Sequence, residues 1–167
     1  MTGNRHGHMA GEYFALKTGA KLNHIPYRGS GPALTDVIGG SVPLIFSDLF
    51  AVQVRIQSGD LRLIATTGRH RASSAPDVAT VIEQGVDDFE VTGWTGLLAP
   101  AGVSPEILEF LNRECNVVLR SEETARRFGG VGPEMVGGTG TEFMNKVRTE
   151  IIRWKRVIEA AQIAAPN

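Results

Sequence analysis

The sequence carries a single cysteine, Cys115, so no disulfide can form within the chain. It lacks any run of roughly 18 apolar residues, which excludes a helical membrane span. The opening stretch, MTGNRHGHMAGEYF, has no apolar run of signal-peptide length behind its charged residues, so no export address is read there. Excess charge of either sign is missing as well: 17 Lys and Arg stand against 18 Asp and Glu, for a formal net charge of −1. The arginines are spread along the chain rather than clustered, and nucleic acid is not an expected partner. Internal repeats and low-complexity tracts are also absent.

What remains is a 167-residue chain with 42% hydrophobic and 21% charged residues, the balance of a soluble globular protein. That length suffices for one ordinary domain or two small lobes. Short runs rich in valine and isoleucine alternate with helical patterns, which predicts an α/β fold with mostly parallel sheets flanked by helices.

The first helix is predicted over about 8–17, with Met9, Tyr13 and Leu16 on one face and Gly19 as its stop. A strand follows at 22–27 (LNHIPY). Pro32 then suits the first position of a helix that buries Leu34, Val37 and Ile38 and ends at Gly39-Gly40. The strand 42–48 (VPLIFSD) leads to a helix over 49–57 and a return strand at 61–68 (LRLIATTG). Residues 1–68 thus read as one α/β lobe, and the aperiodic, polar stretch 69–79 as a crossing segment. A short helix is predicted around 80–84, then a bent strand at 89–100 (FEVTGWTGLLAP).

Ser104-Pro105 supplies the cap and first-turn proline of a helix expected to bury Leu108, Leu111, Cys115 and Val118. A shorter helix is predicted over 121–128. Thr139-Gly140-Thr141-Glu142 fits a capping box, and Phe143, Val147, Ile151, Trp154 and Ile158 make one apolar stripe expected to pack on the chain's own sheet.

The motif that invites a function is IPYRGSGPAL, residues 25–34. It lacks the third glycine of a dinucleotide fingerprint and the lysine of a phosphate loop. Ser30 sits directly between glycines, without the spacing of a nucleophile elbow. A glycine-rich turn entering a helix still points free backbone N–H groups outward at the positive end of the helix dipole, enough to hold a carboxylate or simply to be solvated as an ordinary cap. The same physics applies to Gly3-Asn4-Arg5-His6-Gly7 ahead of the first helix, and Ser47-Asp48 lies at a strand's carboxyl end, where open α/β sheets take ligands. His6 and His8 lack metal-ligand spacing, so no metal site is assigned, and no cofactor motif is present. His24 and His70 read as structural or solvated. Ser30, a histidine and Asp48 would form a triad only by selection, so no catalytic residue is assigned.

The blocks HIPYRGSGPALTDVIGGSVPLIFSDL and LRLIATTGRHRASSAPDVATVIEQGVDDFEVTGWTGLLAPAGVSPEILEFLN resemble the substrate-binding proteins of tripartite tricarboxylate transporters, the Bug family. The likeness runs from about residue 3 to residue 163. It implies a type II periplasmic-binding-protein fold, with two lobes closing on a small organic acid, a di- or tricarboxylate in that family's manner, without catalysis and for delivery to a membrane permease. It also implies a periplasmic address and a receptor close to twice this length. On that view residues 1–68 are most of the second lobe without its first strand, 80–167 are the C-terminal share of an incomplete first lobe, and the ligand wall carried by the remainder lies outside this sequence. The resemblance places ligand contacts at Gly3, Asn4 and His6, at Tyr27, Arg28, Gly29 and Ser30, at Ser47 and Asp48, and at Thr66 and Thr67. The alternative expectation is a self-associating or sensory module, a homo-oligomer formed through exposed sheet edges.

Overall fold

Six stretches combine helix-forming composition with a start or stop signal, and all six are helical in the computed structural model, which describes residues 5–128 and 134–163. They are α1 (Arg5–Thr18), α2 (Ser30–Ile38), α3 (Leu49–Gln57), α4 (Pro105–Leu119), α5 (Glu122–Phe128) and α6 (Gly140–Ala160). Two compact units result: Met1–Gly93 with Val157–Asn167, and Trp94–Arg156.

Helix starts follow local chemistry. α4 opens on Pro105 with the Ser104 hydroxyl accepting from the Ile107 amide at 3.4 Å. α6 opens on the predicted capping box, with the Thr139 hydroxyl accepting from the Glu142 amide at 3.1 Å and the Glu142 carboxylate from the Thr139 amide at 2.8 Å. α2 begins at Ser30, two residues before the expected position, and Pro32 becomes its third residue. The first four N–H groups of a helix have no intrahelical acceptor, so a proline there removes no hydrogen bond. α1 likewise begins at Arg5 and takes His6 and Gly7 into its first turn.

The strands differ from expectation. Among the described residues the only β pairing is one parallel bridge, Thr66 with Thr80, made by the Thr66 amide to the Ala79 carbonyl (3.2 Å) and the Val81 amide to the Thr66 carbonyl (2.9 Å). Segments 22–27, 42–48 and 89–100 carry no ladder, so mostly parallel sheets are not what the described chain forms. The physical reason is that apolar β-branched runs specify an extended, buried conformation, whereas a ladder needs a second strand in register opposite them, and that partner is not encoded locally.

The helix expected at 80–84 is replaced by turns. Thr80 and Glu83 exchange the reciprocal bonds of a capping box, Thr80 amide to Glu83 carboxylate (2.7 Å) and Glu83 amide to Thr80 hydroxyl (3.1 Å), but Gly85 at φ 97° ends the turn before a helix can propagate. Arg71 donates to both Glu83 oxygens at 3.0 Å, holding that carboxyl below the usual carboxylate range.

The core of the first unit centres on Phe89, which is fully buried. The Tyr13 ring stacks on it at 5.3 Å and the Phe14 ring meets it edge-on at 5.8 Å, while Phe14 also tilts against Phe46 at 6.0 Å. Each such aromatic pair contributes about 0.5–1.5 kcal/mol beyond burial itself. Ala10, Ala33, Val42, Val52, Val81, Val91 and Val157 are the other buried apolar residues of this unit among those described.

In the second unit Trp94 meets Phe143 edge-on at 5.1 Å, and Asn116 ties α4 to the segment before α6 by donating to the Gly138 carbonyl and accepting from the Gly138 amide. α4 buries none of its side chains: Leu108, Leu111 and Val118 are exposed and Cys115 is half-buried, so the expected packing of Cys115 in a core is only partly met. On α6, Phe143, Val147 and Trp154 are half-buried but Ile151 is 63% exposed. An apolar stripe marks the face that seeks cover, but the cover must come from another layer, and among the described residues no sheet supplies it.

Candidate ligand-binding site

The predicted site residues of the first unit sit at element ends. His6 lies in the first turn of α1 with an exposed side chain, and Asp48 is the N-cap residue of α3, also exposed. Asp48 has extended backbone (φ −65°, ψ 130°), and its carboxylate makes no capping bond to its own helix. The two side chains converge on Gly93. A Cβ built on Gly93 would lie 3.7 Å from His6 Nδ1 and 3.8 Å from Asp48 Oδ1. An imidazole that donates, or carries positive charge once protonated, therefore shares one spot with a carboxylate that only accepts.

Gly93 was not among the predicted positions. It joins the site by long-range folding, and no local pattern separates it from the other glycines of VTGWTG; the signal available was its place just past the buried Phe89 and Val91.

The turn 27–30 is shaped by two features. Gly29 caps α2 with φ 104° and ψ 174°, a backbone state open to glycine and strained for other residues, so the glycine of YRGSG is a conformational requirement. Tyr27 donates its hydroxyl to the Asp36 carboxylate two turns into α2, which pins the turn to the helix it precedes. That hydrogen bond first, then burial, then the Asp36 charge, raise the phenol above its ordinary pKa of 10.0. Arg28 is exposed, and Ser30 is half-buried as the first residue of α2.

Ser47 is half-buried beside Asp48. Thr67 donates its hydroxyl to the Val91 carbonyl at 2.7 Å, while the Val91 amide donates to the Thr67 carbonyl at 2.8 Å, so Thr67 fastens the return segment to the one bearing Gly93. The Thr66 hydroxyl is buried without a hydrogen-bond partner among the described residues. Gly3 and Asn4 lie outside the described residues. His8, beside the site on α1, stacks on His24 at 3.8 Å and faces Glu12 at 3.4 Å. Among the described residues, no three His, Cys, Asp or Glu side chains come together as a metal set.

With this geometry in place, known proteins can be set beside the chain. The family model for the tripartite tricarboxylate transporter family receptor, TctC, matches residues 2–163. The chain belongs to the TctC receptor family.

Protein BugT of Bordetella pertussis is 37% identical over 151 residues, which cover 90% of this chain and 46% of BugT. A protein of the clcB-clcD intergenic region of Pseudomonas knackmussii is 33% identical over 153 residues, 90% of either chain. Among solved structures, R. palustris Rpa4515 with adipate superposes with a TM-score of 0.85 at 32% identity, covering 95% of this chain and 53% of that one. The periplasmic binding protein BugD gives a TM-score of 0.79 at 26% identity, with 94% and 53% covered. This TctC chain therefore spans about half the length of BugT and of both solved receptors. TctC members are solute-binding receptors, which agrees with the Bug-family resemblance carried by residues 3–163.

Proposed function

We propose that this chain holds one end of a small di- or tricarboxylate for a tripartite tricarboxylate transporter, in the periplasm and without catalysing a reaction. The observation that supports this most is the convergence of His6 and Asp48, from the starts of two helices, on one spot beside Gly93. Helix starts present unpaired amides to an anion, a protonated His6 adds charge, and Asp48 accepts from a hydroxyl or an un-ionised carboxyl. Tyr27, Arg28, Gly29, Ser30, Ser47, Thr66 and Thr67 complete the proposed wall, together with Gly3 and Asn4. A relative of the same fold was solved with adipate, which makes a linear dicarboxylate the first ligand to try. Within the proposal, residues 1–68 belong to one receptor lobe, 69–79 cross over, and 80–167 belong to the other, with a membrane permease as recipient.

A clamp with one wall buries part of a ligand and leaves the rest wet, so affinity should be modest. Titration calorimetry of the chain with adipate, malate and citrate is the test. We expect binding near the millimolar range, about −4 kcal/mol, and its loss in the double variant His6→Ala, Asp48→Ala. No heat with any of the three acids overturns the proposal.

A second reading is supported by exposed apolar side chains such as Phe50, Val54 and Ile64, the last 68% exposed in a segment expected to be a buried strand. On this reading the chain associates with itself. Light scattering that gives only the monomer mass at high concentration removes it.

A further inference from the structure

The described glycines of this chain fall into recognisable groups. Gly29, Gly59, Gly85 and others occupy positive φ, which a side chain strains. A Cβ at Gly96 would enter the Phe143 ring, so close packing requires that glycine. Gly31 and Gly140 face open space. Gly93 fits none of these. Its φ is not in the positive range, and the nearest atoms to an added Cβ are His6 Nδ1 at 3.7 Å and Asp48 Oδ1 at 3.8 Å, an ordinary van der Waals distance. Neither backbone nor a close contact excludes a Cβ there, and one would lie in van der Waals contact with both polar groups of the candidate site.

We infer that Gly93 sets the size of the ligand by placing no side chain beside His6 and Asp48. The inference rests on the carboxylate-receptor reading and deepens it. A side chain at 93 competes for the volume that the ligand's end group fills, and one methylene of misfit in a binding pocket changes affinity by roughly 10- to 200-fold. The effect is graded by size: Gly93→Ala takes part of that volume, and Gly93→Leu takes more of it.

Amide NMR titration with adipate and malate separates the inference from the reading beneath it. Wild type is expected to bind one or both acids with shifts at His6 and Asp48. Gly93→Ala should bind about 10-fold more weakly and Gly93→Leu at least 100-fold more weakly, with adipate affected more than the shorter malate. Thermal midpoint and far-ultraviolet dichroism of each variant report folding independently, and Gly140→Ala, a glycine facing open space in the other unit, should bind as wild type does. Wild-type binding with unchanged affinity in folded Gly93→Ala and Gly93→Leu overturns the inference and leaves the receptor reading standing. Failure of wild type to bind either acid overturns both.

Discussion

At the scale of the residue, a position at an element's end is written in the residues around it, whereas a contact between distant residues is not. His6 could be named as a candidate because it stands ahead of a helix, and Asp48 because it ends an apolar run expected to be a strand. Gly93 could not, because only tertiary folding brings it to them. The Tyr27–Asp36 bond is of the second kind: nine residues separate the partners, and the sequence marked Tyr27 as a ligand contact without indicating that its hydroxyl is held by α2. That bond has a measurable consequence. The folded chain favours the neutral phenol, so the stability it contributes is fully present below the unfolded value of about 10 and is lost as pH rises through the raised folded value. The sequence has two tyrosines, so in Tyr13→Phe the ultraviolet phenolate signal comes from Tyr27 alone. Its midpoint should lie above 10 and return toward 10 when Asp36→Asn is added; a midpoint at or below 10 in Tyr13→Phe would show that the bond does not persist in solution.

Helices read well at the scale of the element because caps and periodicity are local. α3 begins and ends at the predicted 49–57, and α6 opens on the predicted box. Strands read poorly for the opposite reason, since a run such as 61–68 declares its hydrophobicity but not its neighbour. Among the described residues only Thr66 and Thr80 form a parallel pair. The capping box at α6 offers a test of the local logic. The Thr139 amide, followed by its hydroxyl, holds the Glu142 carboxyl below its ordinary pKa, so this contribution is present at neutral pH and lost as pH falls through the lowered folded value. Thr139→Ala removes the cap that the Glu142 amide uses and should destabilise the helix by about 0.5–2 kcal/mol. Glu142→Gln, which retains an acceptor for the Thr139 amide, should be milder at pH 7 and remove the acid sensitivity. Urea unfolding followed by helical dichroism measures both, and a Thr139→Ala chain as stable as wild type would mean that the box is not formed.

Across the whole molecule, helices that find too little cover leave many large apolar side chains exposed among the described residues. Eight apolar residues are buried among those described, while large ones remain exposed on all six helices and along the extended segments, from Leu16 on α1 and Phe50 and Val54 on α3 to Val117 and Val118 on α4 and Ile151 and Ile152 on α6. The deficit is thermodynamic as well as geometric. The heat-capacity change of unfolding follows the apolar surface that folding removes from water, and an ordinary protein of this length gives about 2.0–2.5 kcal/mol/K, at 12–15 cal/mol/K per residue. With so many large side chains exposed in the folded state, less apolar surface is left to uncover. Scanning calorimetry, at concentrations where light scattering gives the monomer mass, should return a value clearly below 2 kcal/mol/K. A value within or above the ordinary range would require these side chains to be buried in solution, and the faces of α4 and α6 would then have found cover that the folded chain does not provide.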